Sequence, residues 1–142
     1  MELLNPLTIA RGDNRYLLKK IEVACLAGDA VGNCMCIRGV RVNGKWRVET
    51  ADPSERAKMP AVGILISKST PTVGVMQMFG VCDLFTAMTP GQLVLVGKDG
   101  DVLDEVPVIL PGDYFWAQQI GIAVAEDLLM LSGVASMTRY SG

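Results

Sequence analysis

The stretch TPGQLVLVGKDG, residues 89–100, places a short apolar run between two sets of turn-forming residues. Pro90 presets the backbone φ angle of a turn, and the glycine that follows it tolerates positive φ. At the other end, Asp99 and Gly100 form a dipeptide typical of tight hairpins, because both residues can adopt the left-handed conformation. The stretch therefore predicts a short strand that is entered and left through turns.

The same alternation of short apolar runs and turn residues continues on both sides of this stretch. Turn signals lie roughly 8–14 residues apart, a spacing typical of small sandwiches and barrels. A hairpin is predicted over residues 38–48 around Asn43-Gly44, with Val40, Val42, Trp46 and Val48 as its apolar positions. Further strands are predicted at residues 20–25, 31–37, 61–67, 75–82, 102–103, 116–125 and 128–131.

The remaining segments predict little additional regular structure. Pro53 follows Asp52, which can cap a helix, so one short helix is predicted before Pro60. Residues 132–142 are predicted to be a small polar tail after the last strand. The fold class predicted is all-β: a small β-sandwich or β-barrel-like domain over residues 17–142, preceded by an extended N-terminal arm over residues 1–16.

Composition limits the classes of function. Half of the 142 residues are hydrophobic and only 20% are charged, and the mean hydropathy is +0.33. Such a chain can fill a core and still have apolar surface left over, which predicts burial in an oligomer or a larger assembly. The net charge of -2 argues against nucleic-acid binding, because phosphate contacts need a basic face. No signal peptide or membrane span is recognised, so synthesis in the cytoplasm is expected.

Catalytic chemistry is not predicted. The chain contains no histidine, the commonest general base and metal ligand. Ser67 and Lys68 are neighbours on a strand and point to opposite faces, so lysine cannot directly activate the serine. The acidic residues within 99–105 lack the spacing of a calcium loop and predict a solvated loop. The four cysteines predict free, buried thiols, and Cys34 and Cys36 are expected on one face of a strand. No catalytic, cofactor-binding or metal-binding residue is therefore predicted.

With these elements in view, residues 23–134 resemble a small β-domain of tailed-phage virion proteins. The resemblance lies in the order of residues 26–31, 57–64, 80–81, 89–100 and 119–131. It implies a non-enzymatic structural protein, typically trimeric, located on a viral particle. Two members of this class are candidates: a capsid decoration (cement) protein, and the receptor- or glycan-binding knob of a fibre. The short segment before the first strand favours the decoration protein, which implies the major capsid protein as its partner on the outside of the head. A small all-β enzyme is the least favoured alternative.

Candidate partner-binding residues follow from this interpretation. The N-terminal arm is expected to lie across a neighbouring subunit, and exposed aromatic residues are candidate interface anchors or glycan contacts. Four basic residues surround the hairpin, namely Arg38, Arg41, Lys45 and Arg47, and a charged strand edge is favoured over an anion-binding face. The candidate partner-binding residues are Leu3, Leu4, Pro6, Arg11, Arg15, Trp46 and Trp116.

Overall fold

The computed structural model describes residues 20–105, 107–133 and 137–141. Among these residues the chain is all-β and has no helix of seven or more residues. Arg56–Lys58 and Lys98–Gly100 form single 3-10 turns. The strands are β1 (Lys20–Ala24), β2 (Cys34–Ile37), β3 (Trp46–Thr50), β4 (Ala61–Thr70), β5 (Val73–Gln77), β6 (Phe79–Cys82), β7 (Leu93–Val96), β8 (Val102–Leu103), β9 (Tyr114–Ala125), β10 (Leu128–Ser132) and β11 (Met137–Ser141).

The first five strands close into a small barrel. Its strand order is β1-β3-β2-β4-β5, and β5 pairs back onto β1. Only the β1–β3 pair is parallel; the other pairs of the barrel are antiparallel. Side chains alternate between the faces of each strand, so every second residue points into the barrel. The interior is filled by Val23, Cys25, Met35, Val48, Leu65 and Met76.

The remaining strands form a second, antiparallel sheet in the order β6-β10-β9-β7-β8. The long strand β9 organises this sheet. Its C-terminal half pairs with β7 and β10, and its N-terminal half pairs with β11. The strands β10 and β11 run in the same direction along β9, one after the other.

A second core joins the barrel to this sheet. Met35 points into the barrel, whereas Cys34 and Cys36, one residue away on either side, pack against the sheet. The expectation that these two thiols share a face is thus confirmed. On β4 the same alternation places Leu65 inside the barrel and Ile64 in the shared core. The shared core also contains Ala51, Met59, Ala61, Cys82, Met88, Val94, Val96, Ile120, Ala123, Leu129 and Leu131.

A buried glutamine fixes the two layers relative to each other. The side-chain amide of Gln118, on β9, donates to the carbonyl oxygen of Ala61 at 2.7 Å. Its Oε1 accepts from the backbone N–H of Ala61, also at 2.7 Å. Both groups of Ala61 are thereby satisfied in a buried place, where an unpaired backbone group costs about 1–3 kcal/mol. Gln118 therefore completes the hydrogen bonding of β4 where it begins.

The predicted all-β fold class is confirmed, and so are its decisive turns. Asp99 and Gly100 have φ angles of 57° and 80°, and they lie in the loop between the paired strands β7 and β8. Asn43 and Gly44 have φ angles of 51° and 76°, as a type I′ turn requires. The predicted short helix is present only as the 3-10 turn Arg56–Lys58, which follows Glu55 and is not capped by Asp52 as predicted.

Four details of the prediction were wrong. Residues 132–142 are not only a polar tail, because β11 forms within them and pairs with β9; Leu128–Ser132 is thus not the last strand. The strand predicted over residues 75–82 is divided into β5 and β6. The strand predicted from residue 31 begins only at Cys34, after Gly32 adopts a φ of +99°. Val40 and Val42 are exposed, because this part of the hairpin extends beyond the barrel.

All four cysteines are free and buried, as predicted. Burial raises the pKa of Cys34 to about 12 and that of Cys36 to about 11. The reactive thiolate is therefore scarce at pH 8. We expect the native protein to react with a disulfide dye at pH 8 far more slowly than the denatured chain, in which all four thiols react.

The same pKa shifts predict how stability changes with pH. The folded state keeps these protons above the pKa of about 9 that the thiols have in the unfolded chain. Their contribution to the free energy of unfolding is thus complete well below pH 9 and is lost as the pH rises from 9 through the folded-state values of about 11 and 12. In the dye experiment described above, fast labelling of native Cys34 or Cys36 at pH 8 would contradict the expected slow reaction and show that the shared core is open.

Candidate assembly surface

The outer face of the second sheet carries a continuous row of exposed apolar side chains. Leu93 of β7 lies opposite Ile122 of β9. Ile122 lies opposite Met130 of β10, and Met130 lies opposite Val81 of β6. Their exposed fractions are 52%, 41%, 48% and 49%, respectively. We call these four residues the apolar row; with adjacent strands about 4.8 Å apart, it is roughly 14 Å long.

The strands that carry the apolar row contain no charge; the nearest acidic residues, Asp83 and Glu126, lie just beyond the ends of β6 and β9. None of the strands β6 to β10 contains a charged residue. Val124 is 47% exposed two residues beyond Ile122, and the paired residues Leu95 and Leu103 lie half-buried beside the row. A sheet with one solvated face ordinarily alternates apolar and polar residues. Here the outward positions are apolar as well, which is typical of a face that a partner covers.

The close pairing of β9 and β10 depends on Gly121. A Cβ atom at this position would overlap the carbonyl oxygen of Met130 and approach Leu129 Cδ1 to 3.1 Å. Gly121 itself is buried, and it pairs with Leu131 of β10 and Val94 of β7. The missing side chain lets the backbones lie close together where the apolar row crosses from β9 to β10.

A second exposed surface is the hairpin between β2 and β3, residues 38–45. Val40 is 78% exposed and Val42 is 43% exposed. Arg41 donates from Nη2 to the carbonyl oxygen of Gly44 at 3.1 Å, across the turn. Lys45 forms an ion pair with Glu22 of β1 at 3.5 Å. These contacts link the tip to its own turn and to β1, and the tip presents apolar and basic groups together.

The structure does not bring the residues predicted for partner binding together in one surface. Trp46 is half-buried and packs against the barrel core, whereas Trp116 packs against the shared core. The two tryptophans thus belong to different cores. The positions Leu3, Leu4, Pro6, Arg11 and Arg15, like the whole predicted arm, lie outside the described residues. The apolar row was not among the predicted residues, although the sequence shows apolar residues at the outward-facing positions of LVLV (93–96) and LLMLS (128–132).

Two acidic groups of the described segments, Asp104 and Asp29, have structural partners. Asp104 accepts from the backbone N–H of Thr89 at 2.9 Å, and this hydrogen bond lowers the pKa of its carboxyl group. Asp29 is buried and accepts from the backbone N–H and the hydroxyl of Thr50. Within residues 20–105, 107–133 and 137–141, no three histidine, cysteine or acidic side chains are grouped as metal ligands would be. These carboxylates therefore hold loops in place.

A cleft of about 340 Å³ opens between the barrel and β6 and β10. Its polar lining includes Lys20, Asp83 and Gln77. The Gln77 side chain is already engaged, because its amide donates to the carbonyl oxygens of Phe79 and Val81 at 3.1 and 2.8 Å. Cys82 also lines the cleft, but burial raises the pKa of its thiol, so the reactive thiolate is scarce there.

Comparisons with known proteins leave the site to be judged by its geometry. Neither protein-family models, nor curated proteins, nor solved structures give a match to this chain. In the part of the chain that the structure describes, no helix has the length and apolar character needed to cross a membrane. The apolar row and the hairpin tip are two exposed surfaces on which a functional assignment can rest.

Proposed function

We propose that this chain is a non-enzymatic virion structural protein, a capsid decoration protein that binds the outside of a tailed-phage head and stabilises it. It assembles as a homotrimer, and its other partner is the major capsid protein. The observation that carries the proposal is the apolar row on an uncharged sheet face. The resemblance of residues 23–134 to phage β-domains implies that the assembly is a trimer located on a viral particle.

Self-association follows from the energetics of the apolar row. Four side chains, each about half exposed, lie side by side and cannot be shielded by their own sheet. Burying apolar surface contributes about 25 cal/mol per Å². A second copy that covers the row removes this surface from water, and a closed ring of copies leaves no row exposed.

Shell binding requires a surface that remains available after self-association. The hairpin tip, with exposed Val40 and Val42 beside Arg41, provides such a surface on another part of the chain. Each contact of this size is weak. A trimer presents three of them at once, and the second and third bind at a high effective concentration. A small protein can thus reinforce a shell through repeated weak contacts.

Cosedimentation with empty, expanded heads of the phage that encodes the chain tests this function. We expect the protein to sediment with the shells and to saturate at a fixed ratio to the capsid subunit. Val40→Asp is expected to weaken this binding about tenfold or more, since it places a carboxylate in the contact. Val108→Asp, at a residue that is 91% exposed in another loop, is the matched control.

Two outcomes separate the candidate functions. A trimer that ignores shells and binds host-surface glycan would assign the chain to a fibre knob instead. The pair of aromatic rings Tyr114 and Trp116, 6.4 Å apart near the edge of the sheet, is the feature that keeps this alternative open. A chain that binds neither shells nor glycans would contradict both.

A further inference from the structure

Two arginines and two aromatic rings form a connected series at one end of the second sheet. The guanidinium carbon of Arg56 lies 5.3 Å from the centroid of the Trp116 ring. The Trp116 ring meets Tyr114 edge to face at 6.4 Å, and Arg139 lies 4.8 Å from the centroid of Tyr114. We call these four residues the cation–aromatic ladder.

Three separate segments hold the ladder in place. Trp116 and Tyr114 lie on β9, and Arg139 lies on β11 directly opposite Trp116. Arg56 lies in the 3-10 turn before β4, and this turn is tied to the sheet because the backbone N–H of Trp116 donates to Pro53 at 2.9 Å. Nη1 of Arg56 also donates to the carbonyl oxygen of Met59 at 3.3 Å. The two guanidinium groups are thus positioned before any partner arrives.

Contact with a ring face leaves guanidinium N–H groups for hydrogen bonds, and Arg56 uses one of them for the Met59 carbonyl oxygen. A cation over an aromatic ring uses the face of the guanidinium plane, whereas its N–H groups point outward within that plane. Arg56 and Arg139 are both exposed residues. Neither forms an ion pair with an acidic residue of the described segments, where Glu55 pairs instead with Lys58 at 3.7 Å. In-plane N–H groups match the two oxygens of a carboxylate.

From this arrangement we propose that the ladder is a docking site for an acidic protein segment, with one carboxylate on Arg56 and another on Arg139. The tryptophan and tyrosine between the arginines separate the two charges, so the ladder fits spaced carboxylates better than a single small anion. The ladder presents only two positive groups, whereas a nucleic-acid-binding face needs many, so an acidic protein segment is favoured over a nucleic acid. The inference rests on the proposed function only in placing this acidic segment on the capsid protein.

Binding of a fluorescein-labelled deca-glutamate peptide to the intact chain, followed by fluorescence anisotropy at low ionic strength, tests the inference. Salt screening of exposed charges makes low ionic strength the sensitive condition. We expect saturable binding, weakened about tenfold or more in Arg56→Gln/Arg139→Gln, since two charge-assisted hydrogen-bond sites are lost. Arg56→Lys/Arg139→Lys keeps both charges but loses the planar fork, and is expected to bind less tightly than wild type.

The matched control is Lys20→Gln/Lys98→Gln, which removes two exposed positive charges, one on β1 and one in the turn after β7. It should bind the peptide within about twofold of wild type, since only general screening changes. No binding by wild type, or equal weakening by the control, would overturn the inference. Equal or tighter binding of a ten-nucleotide thymidine strand or a uronate oligosaccharide would also overturn it. Because the peptide assay needs no shells, shell binding without peptide binding refutes the ladder site alone.

Discussion

Met130→Lys is expected to convert the assembled protein into a folded monomer. Met130 lies in the middle of the apolar row, opposite Ile122 and Val81. In a single copy its side chain is 48% exposed, so a lysine can extend into water there. In the assembly, the ammonium group would be buried against apolar side chains, at a cost of roughly 3 kcal/mol or more. We therefore expect self-association at least about a hundredfold weaker, measured by sedimentation equilibrium.

Val108→Lys is the control for this prediction. Val108 is 91% exposed but lies in the loop before β9, outside the four strands that carry the apolar row. Its variant should keep the dissociation constant of wild type, and both variants should unfold within a few degrees of wild type. If Val108→Lys dissociates the assembly equally, or Met130→Lys leaves it intact, the apolar row is not the interface.

Gly121→Ala is expected to be the most destabilising small substitution on β9. The added methyl group would overlap the Met130 carbonyl oxygen, and backbone atoms cannot rotate away as a side chain does. The strands β9 and β10 would have to separate in the middle of the shared core, which disrupts their hydrogen bonds and packing. We expect a loss of roughly 3 kcal/mol or more in the free energy of unfolding, measured by urea denaturation.

Gly28→Ala provides the matched comparison. No heavy atom lies within 4 Å of a Cβ atom built at Gly28, and its φ angle is not among the positive ones. The same methyl group is therefore accommodated, and reduced freedom of the unfolded chain should stabilise the protein by about 0.4–1 kcal/mol. Similar effects of the two substitutions would show that β9 and β10 are not as closely paired as described.

Much of the fold could be predicted because its turns depend on local chemistry. Asp99-Gly100 and Asn43-Gly44 adopt left-handed backbone angles for the reason that made them recognisable in the sequence. Short apolar runs between such turns became strands close to their predicted bounds, as β7 and β10 show. These features need only a few neighbouring residues to be determined.

The division into a barrel and a second sheet could not be predicted, because it depends on distant pairings. The parallel pair β1–β3 and the pairing of β11 with β9 join segments whose own sequences do not specify a partner. From its neighbours in the sequence, Gln118 would be predicted to be an exposed polar residue on a strand. It is only 1% exposed, because the backbone of Ala61 satisfies its side-chain amide. Long-range contacts decide such cases, and periodicity alone does not report them.

The apolar row could have been anticipated in part. Leucine and methionine at the outward positions of β7 and β10 are visible in the sequence, and the high mean hydropathy of +0.33 predicts leftover apolar surface. Which outward residues lie opposite one another is set by strand register, which only the structure gives. The sequence-based choice of Trp46 and Trp116 favoured large aromatic residues, and both proved to be half-buried against the cores.

The most direct test of the central claim is the mass of the purified wild-type protein in solution, measured by light scattering over a range of concentrations. If three copies of the chain cover their apolar rows, as proposed, the mass should be three times the 15.2 kDa of one chain. A mass of 15.2 kDa at every concentration would mean that the row stays exposed, and it would contradict the proposed assembly.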